Sequence, residues 1–143
     1  MPVAGIAEPA AAGCTNLDSI PIAFTIDYQS AIQGIFDNHC VACHEGNDPP
    51  AGLDLSAGGS WSHLIHVPSS QDGNFIRVIP DEPLSSLLFL KINCDTPGVG
   101  ARMPRGKDPL SNDEQALILD WISEGAPPGT TDAIFRSEFE LRG

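Results

Sequence analysis

The segment Cys40-Val41-Ala42-Cys43-His44 constrains this chain more than any other stretch. Two thiols two residues apart, with an imidazole directly after the second, suit few chemistries, and each demands its own setting. Dithiol exchange places the pair after a strand and at the start of a helix, where the helix dipole lowers the thiol pKa. Here the apolar periodicity puts a helix in front of the pair. Tyr28, Ile32, Ile35 and Phe36 fall on one face, which predicts a helix from Tyr28 to about His39 with Asp27 as its N-cap. A structural zinc site needs two further ligands. The other cysteines, Cys14 and Cys94, are single and distant, so a zinc site built from them is contrived. The third chemistry is covalent attachment of haem, in which both thiols form thioethers to the two vinyl groups and the following histidine reaches the iron. A preceding helix favours this last setting.

A haem so held needs a second axial ligand or an open iron. The chain has two methionines, Met1 and Met103. Met103 lies in "GVGARMPRG", a punctuated polar loop where a methionine is poorly explained as core filler, although Met does fill gaps. A thioether sulfur is a neutral ligand that favours ferrous iron. His63 and His66, in "WSHLIHV", are the competing ligands, with partly exposed helix positions as their plainer account. His39 directly precedes Cys40 and is not expected on the distal face. Arg77 and Trp61 are candidate partners for the haem carboxylates, equally well explained as a surface charge and a packed aromatic.

The rest of the chain reads as all-α with long loops. Its 143 residues suit one domain, and 13 prolines with 14 glycines predict short elements between ordered loops. Residues 1–26 form an extended lead-in, 27–128 the domain, and 129–143 a tail. "SWSHLIHV" predicts a short helix capped by Ser60. "DEPLSSLLFLKI" predicts another, capped by Asp81, with Leu84, Leu87, Leu88 and Lys91 on one side. The last helix is the best defined. Ser111 and Glu114 form a capping box, with Leu110 at the staple position before it. Leu117, Ile118, Trp121 and Ile122 form its buried stripe, and Gly125 ends it.

These segments together resemble the class I c-type cytochromes, and more narrowly the planctomycete-type cytochrome c domain. The resemblance rests on "AIQGIFDNHCVACHEG", "AGLDLS", "VIPDEPLSSLLFLKI" and "RMPRGKDPLSNDEQALILDWISEGAPPG". It implies short helices and long loops wrapped around one covalent haem c, with the first and last helices crossing near one haem edge. It also implies thioethers at Cys40 and Cys43, proximal His44 and distal Met103. One departure is "PDEP" at 80–83, where the family usually has a glycine after the first proline; a changed local turn is expected there.

With both axial positions filled, the expected role is a one-electron carrier or electron-transfer domain rather than an enzyme. Its partners would be a redox donor and acceptor docking at the haem edge. The rival is a haem sensor or peroxidase-like enzyme with a labile distal ligand. Nineteen acids against seven bases give a net charge of −12, which argues against nucleic acid and favours a basic docking face on a partner. Arg102, Arg105 and Lys107 nevertheless cluster around Met103. No apolar run approaches the roughly 20 residues of a membrane span. The first basic residue is Arg77, so the N-terminus has no positively charged signal region. Haem c is attached outside the bacterial cytoplasm, so a periplasmic or otherwise exported protein with its signal removed is expected. In that oxidising setting Cys14 and Cys94 are expected to pair, adding on the order of 4 kcal/mol for so long a loop.

Overall fold

The computed structural model describes residues 13–41, 43–44, 50–95, 97–98 and 100–128. The first twelve residues of the expected lead-in and the expected tail 129–143 lie outside the described residues. Four α-helices are formed among the described residues: α1 Gln33–His39, α2 Ser60–Leu64, α3 Leu87–Asn93 and α4 Asn112–Ser123. No strand occurs among them, only isolated bridges such as Cys14 with Cys94 and Ile65 with Val78. The class is all-α, as the sequence predicts.

The helix expected over Tyr28–His39 forms in two pieces. A π turn, Tyr28–Ile32, leads into α1, with the Gln33 amide donating to the Tyr28 carbonyl. Asp27 holds the N-cap place but makes no side-chain cap bond. Its carboxylate instead accepts from Ser30 Oγ at 2.7 Å, a local contact that competes with capping. Tyr28, Ile32, Ile35 and Phe36 are all buried, as their spacing requires.

The second helix starts one residue earlier than expected and the third starts later. Gly59, not Ser60, is the cap residue of α2. Ser60 is wholly buried and its hydroxyl bonds Gln33 Oε1 and the Tyr28 hydroxyl. Gln33 continues this chain to the Leu55 carbonyl at 2.8 Å. Asp81 does not cap a helix: it sits at φ 73, in the turn at "PDEP". A 3-10 turn, Pro83–Ser85, follows, and Ser86 takes the N-cap position of α3. The Ser86 hydroxyl is committed backwards, accepting from the Ile79 amide and donating to the Glu82 carbonyl. Because the helix begins at Leu87, Leu84 falls outside it and is 68 % exposed, while Leu87, Leu88 and Lys91 are buried.

The final helix matches its sequence signals closely. Glu114 N–H donates to Ser111 Oγ at 3.1 Å, and Ser111 N–H donates to Glu114 Oε1 at 3.0 Å. The staple position differs in chemistry: Gln115 donates to the Leu110 carbonyl at 2.9 Å, and Leu110 is buried. Ile118, Trp121 and Ile122 face the core, with Leu117 only partly buried. Gly125, at φ 99, adopts the left-handed conformation that ends the helix.

The π turn and α4 pack together through aromatics. Tyr28 and Trp121 ring centroids lie 5.0 Å apart, and Phe36 meets Tyr28 edge-on at 6.3 Å. Trp121 Nε1 donates to the Pro127 carbonyl and Trp61 Nε1 to the Ala126 carbonyl, each at 2.9 Å, so both indoles fasten the chain leaving α4. Trp61 is thereby a packed aromatic. On the other side α4 packs against α3.

The described lead-in, residues 13–26, crosses this core as an extended strap. Cys14 and Cys94 form a disulfide, with S–S at 2.03 Å. Beside it the Thr15 amide donates to Asn93 O at 2.8 Å, and Asn93 Nδ2 donates to Thr15 O at 2.9 Å. Further along, Ala23 N–H donates to Asp120, and the Thr25 and Ile26 amides donate to Glu124. No helix among the described residues is long and apolar enough to cross a membrane. Trp121→Ala, which removes the largest buried side chain, is expected to cost about 3–5 kcal/mol in urea denaturation, whereas Leu84→Ala should stay within about 0.5 kcal/mol.

Candidate functional site

The motif residues occupy the end of α1 and the turn after it. Cys40 is the residue at which the helix stops, its amide still bonded to the Phe36 carbonyl at 2.8 Å. The Cys43 and His44 amides both return to the Cys40 carbonyl, at 3.2 and 2.9 Å. This tight turn presents both sulfurs and the imidazole to one cavity of about 420 Å³. Its inner lining is apolar, including Leu55, Leu64, Leu87, Leu88 and Ile92. Size and lining are those of a cofactor-scale site.

His44 is fixed from three directions. Its amide bonds Cys40 O, its carbonyl accepts from the Leu55 amide at 2.7 Å, and its Nδ1 donates to Leu53 O at 3.1 Å. A carbonyl can only accept, so Nδ1 carries the proton and Nε2 keeps its lone pair. Orientation of a ring nitrogen by a backbone carbonyl behind it is how metal-binding imidazoles are aimed.

Met103 joins this cavity from a separate stretch of chain. It is partly buried against the core and lines the same space as Cys40, Cys43 and His44. Its amide donates to the Lys91 carbonyl at 2.7 Å, and the Met103–Pro104 peptide is cis. Arg102 anchors the loop from the other side. Its guanidinium donates to Ile92 O at 3.1 Å, Thr15 Oγ1 at 2.9 Å and Asp95 Oδ1 at 3.0 Å. Thr15 and Asp95 adjoin the two halves of the disulfide, so the Met103 loop is tied to α3 and to the lead-in at once.

The competing histidines do not reach this space. His63 accepts from the Asp54 amide through Nδ1 at 3.3 Å, and His66 is exposed with φ 59; neither lines the cavity. His39 does touch the cavity, but its Nε2 donates to Glu114 Oε2 at 2.9 Å. Arg77 is buried on the wall, with Nη1 donating to the His63 carbonyl at 2.9 Å. Lys91 was legible only as one of four residues on a helix face; it is buried in the same wall as Ser69, with the exposed Gln71 at its edge, two polar residues that no sequence motif marked.

The geometry bears differently on the three chemistries of the motif. The disulfide consumes Cys14 and Cys94, leaving zinc without the ligands it would have needed. Among the described residues no group of three His, Cys, Asp or Glu side chains could hold a metal ion. Cys40 and Cys43 are free thiols. Burial, with the Glu114 and Cys43 charges adding and Lys107 opposing, pushes the Cys40 thiol up to about 11. A thiol held protonated at a helix end is the reverse of an exchange-active cysteine. Two free thiols, an aimed imidazole and a facing thioether around an apolar cavity fit a haem.

The chain is 30% identical over 125 residues to hydrazine synthase subunit alpha of Kuenenia stuttgartiensis, a match covering 71% of this chain and 15% of that protein. This chain therefore spans only a small part of that relative's length. No family model matches the chain. No solved structure matches it.

Arg102→Ala should accelerate hydrogen exchange of the Met103 amide and lower global stability by about 1–3 kcal/mol, the scale for losing hydrogen bonds to a charged group. Glu114 gives a second test. Burial raises its carboxyl pKa, but the Ser111 amide and His39 outweigh that and hold it below the ordinary value. A depressed folded pKa adds stability above the unfolded value, about 4.3, and loses it as pH falls through the folded one. Glu114→Gln preserves the cap box but not the charge. It should cost less than about 1 kcal/mol at pH 7, the deficit fading below about pH 4 in acid titrations of both proteins.

Proposed function

We propose that this chain is a monohaem c-type cytochrome of the planctomycete type, serving as a one-electron carrier or electron-transfer domain. The observation that carries the proposal is the convergence of Cys40, Cys43, His44 and Met103, from two distant stretches of sequence, on one apolar cavity. Cys40 and Cys43 would hold the macrocycle, each thiol adding across one vinyl group with sulfur on one carbon and hydrogen on the other. Such additions consume no oxidant. His44 Nε2 and the Met103 sulfur would hold its iron. The haem supplies reversible one-electron chemistry at iron, and a neutral thioether ligand raises its potential.

The remaining residues set the surroundings. Leu55, Leu64, Leu88 and Ile92 exclude water from the cavity, which favours the less charged ferrous state. Leu53 O keeps the His44 ring in the ligating tautomer. With His44 and Met103 both holding the iron no place would be left for a substrate, so the chain would act as a carrier rather than an enzyme. A match confined to a fraction of an enzyme subunit is what a transferable electron-transfer domain would give. Covalent haem and the Cys14–Cys94 bond both favour an exported location, with redox proteins as donor and acceptor.

Absorption spectra of the haem-loaded protein, oxidised and reduced and extended into the far red, test this. The expected result is a low-spin c-type spectrum with a weak ferric sulfur-to-iron band that Met103→Ala abolishes while haem stays covalently bound. A high-spin ferric spectrum, or ready carbon monoxide binding by the ferrous protein, would replace the carrier with a sensor or peroxidase-like enzyme.

A further inference from the structure

The charged side chains lining the cavity have one sign. Arg77, Lys91, Arg105 and Lys107 all contribute to its wall, and no Asp or Glu among the described residues does. In a chain of net charge −12, an all-cationic wall is not a sampling of the composition. Arg105 and Lys107 are exposed, where water screens them. Lys91 is different: it is 8 % exposed, and burying an ammonium costs several kcal/mol unless an anion accompanies it.

Among the described residues, the surroundings of Lys91 supply no such anion. Its Nζ donates to the neutral amide oxygen of Gln71 at 3.0 Å. Burial, then the like charge of Arg105, both lower its pKa, and no carboxylate opposes them. The loop before Met103 closes over the ammonium: a Cβ on Gly100, which sits at φ 63, would stand 2.8 Å from Nζ. Ser69, buried on the same wall, accepts the Gln71 amide at Oγ and so retains its own hydroxyl proton to donate. An ammonium and a hydroxyl thus face an apolar chamber with donors and, among the described residues, no acceptor of opposite charge.

We propose that Lys91, supported by Ser69 and Gln71, is a buried carboxylate-binding subsite that holds one carboxylate of the bound tetrapyrrole inside the protein. The subsite presupposes the haem proposed above. It explains why α3 places a lysine, rather than a further leucine, in line with Leu87 and Leu88. It also gives Gly100 a role, since a side chain there would displace the ammonium.

The test is the midpoint potential of the haem-loaded protein in three variants, each first checked for covalent haem and for the Met103 far-red band. A cation beside the macrocycle favours the ferrous state, and its loss leaves the carboxylate charge uncompensated. Lys91→Gln is therefore expected to lower the potential, and Lys91→Arg to stay near the parent value. Gln71→Ala, which removes the neutral partner and keeps the charge, should shift it far less than Lys91→Gln. An unchanged potential in Lys91→Gln overturns the subsite, as does an equal fall in Gln71→Ala, which would mean loosened packing. Titration with acetate distinguishes a free anion: a concentration-dependent shift in the parent protein would show an exogenous carboxylate at Lys91 and overturn the assignment. Absence of covalent haem would sink the proposed function itself, a failure visible before any potential is measured.

Discussion

One wall of the cavity depends on how the 100–104 loop is held. That loop has no regular structure of its own, yet it delivers Met103 into a cavity whose opposite wall is built by the turn after α1. Three fastenings fix it: the Met103 amide on Lys91 O, the Arg102 fork on Ile92 O, and the bonds from Arg102 to Thr15 and Asp95. Each leads to α3 or to the covalent join at its end. A loop anchored through its backbone and a charged neighbour leaves the intervening side chain at liberty to face a ligand.

Anchoring on that scale is needed because the helices are short. None of α1, α2 or α3 would be stable alone, since isolated helices of such length barely form in water. Their stability is tertiary. The Tyr28–Trp121 contact joins the first helical turn to the last helix, and a buried polar chain from Tyr28 through Ser60 and Gln33 to Leu55 ties three segments in the interior. Such a chain is tolerable inside because its members satisfy one another.

The parts legible in the sequence were those whose signal is local. A capping box three residues wide, a glycine after a periodic run and a five-residue motif are all read without knowing the fold, and α4 and the Cys40–His44 turn form accordingly. Met103 was legible by scarcity, as one of two methionines and the one in a loop. The failures arose where a side chain had a competing tertiary use. Ser60 looks like a free cap until the interior claims its hydroxyl, and Asp81 looks like a cap until the "PDEP" turn bends it to positive φ. His63 and His66 resemble ligands in composition, but His63 is turned within α2 towards the Asp54 amide and His66 is exposed beyond that helix, so neither lines the cavity. Lys91 was seen as one residue on a helix face; only packing shows that the face looks into a chamber.

The cysteines carry a consequence for how such a molecule is made. Four of them allow three complete pairings, and the native state uses one bond while keeping the other two sulfurs reduced. One chain must therefore be oxidised at one place and kept from oxidation at another. Burial provides the sorting. Cys94 is 5 % exposed and shielded by the strap, whereas Cys43 faces solvent. A reductant that reaches surface sulfurs would undo a mistaken Cys40–Cys43 bridge and leave the buried one intact, so proofreading needs only a difference in access.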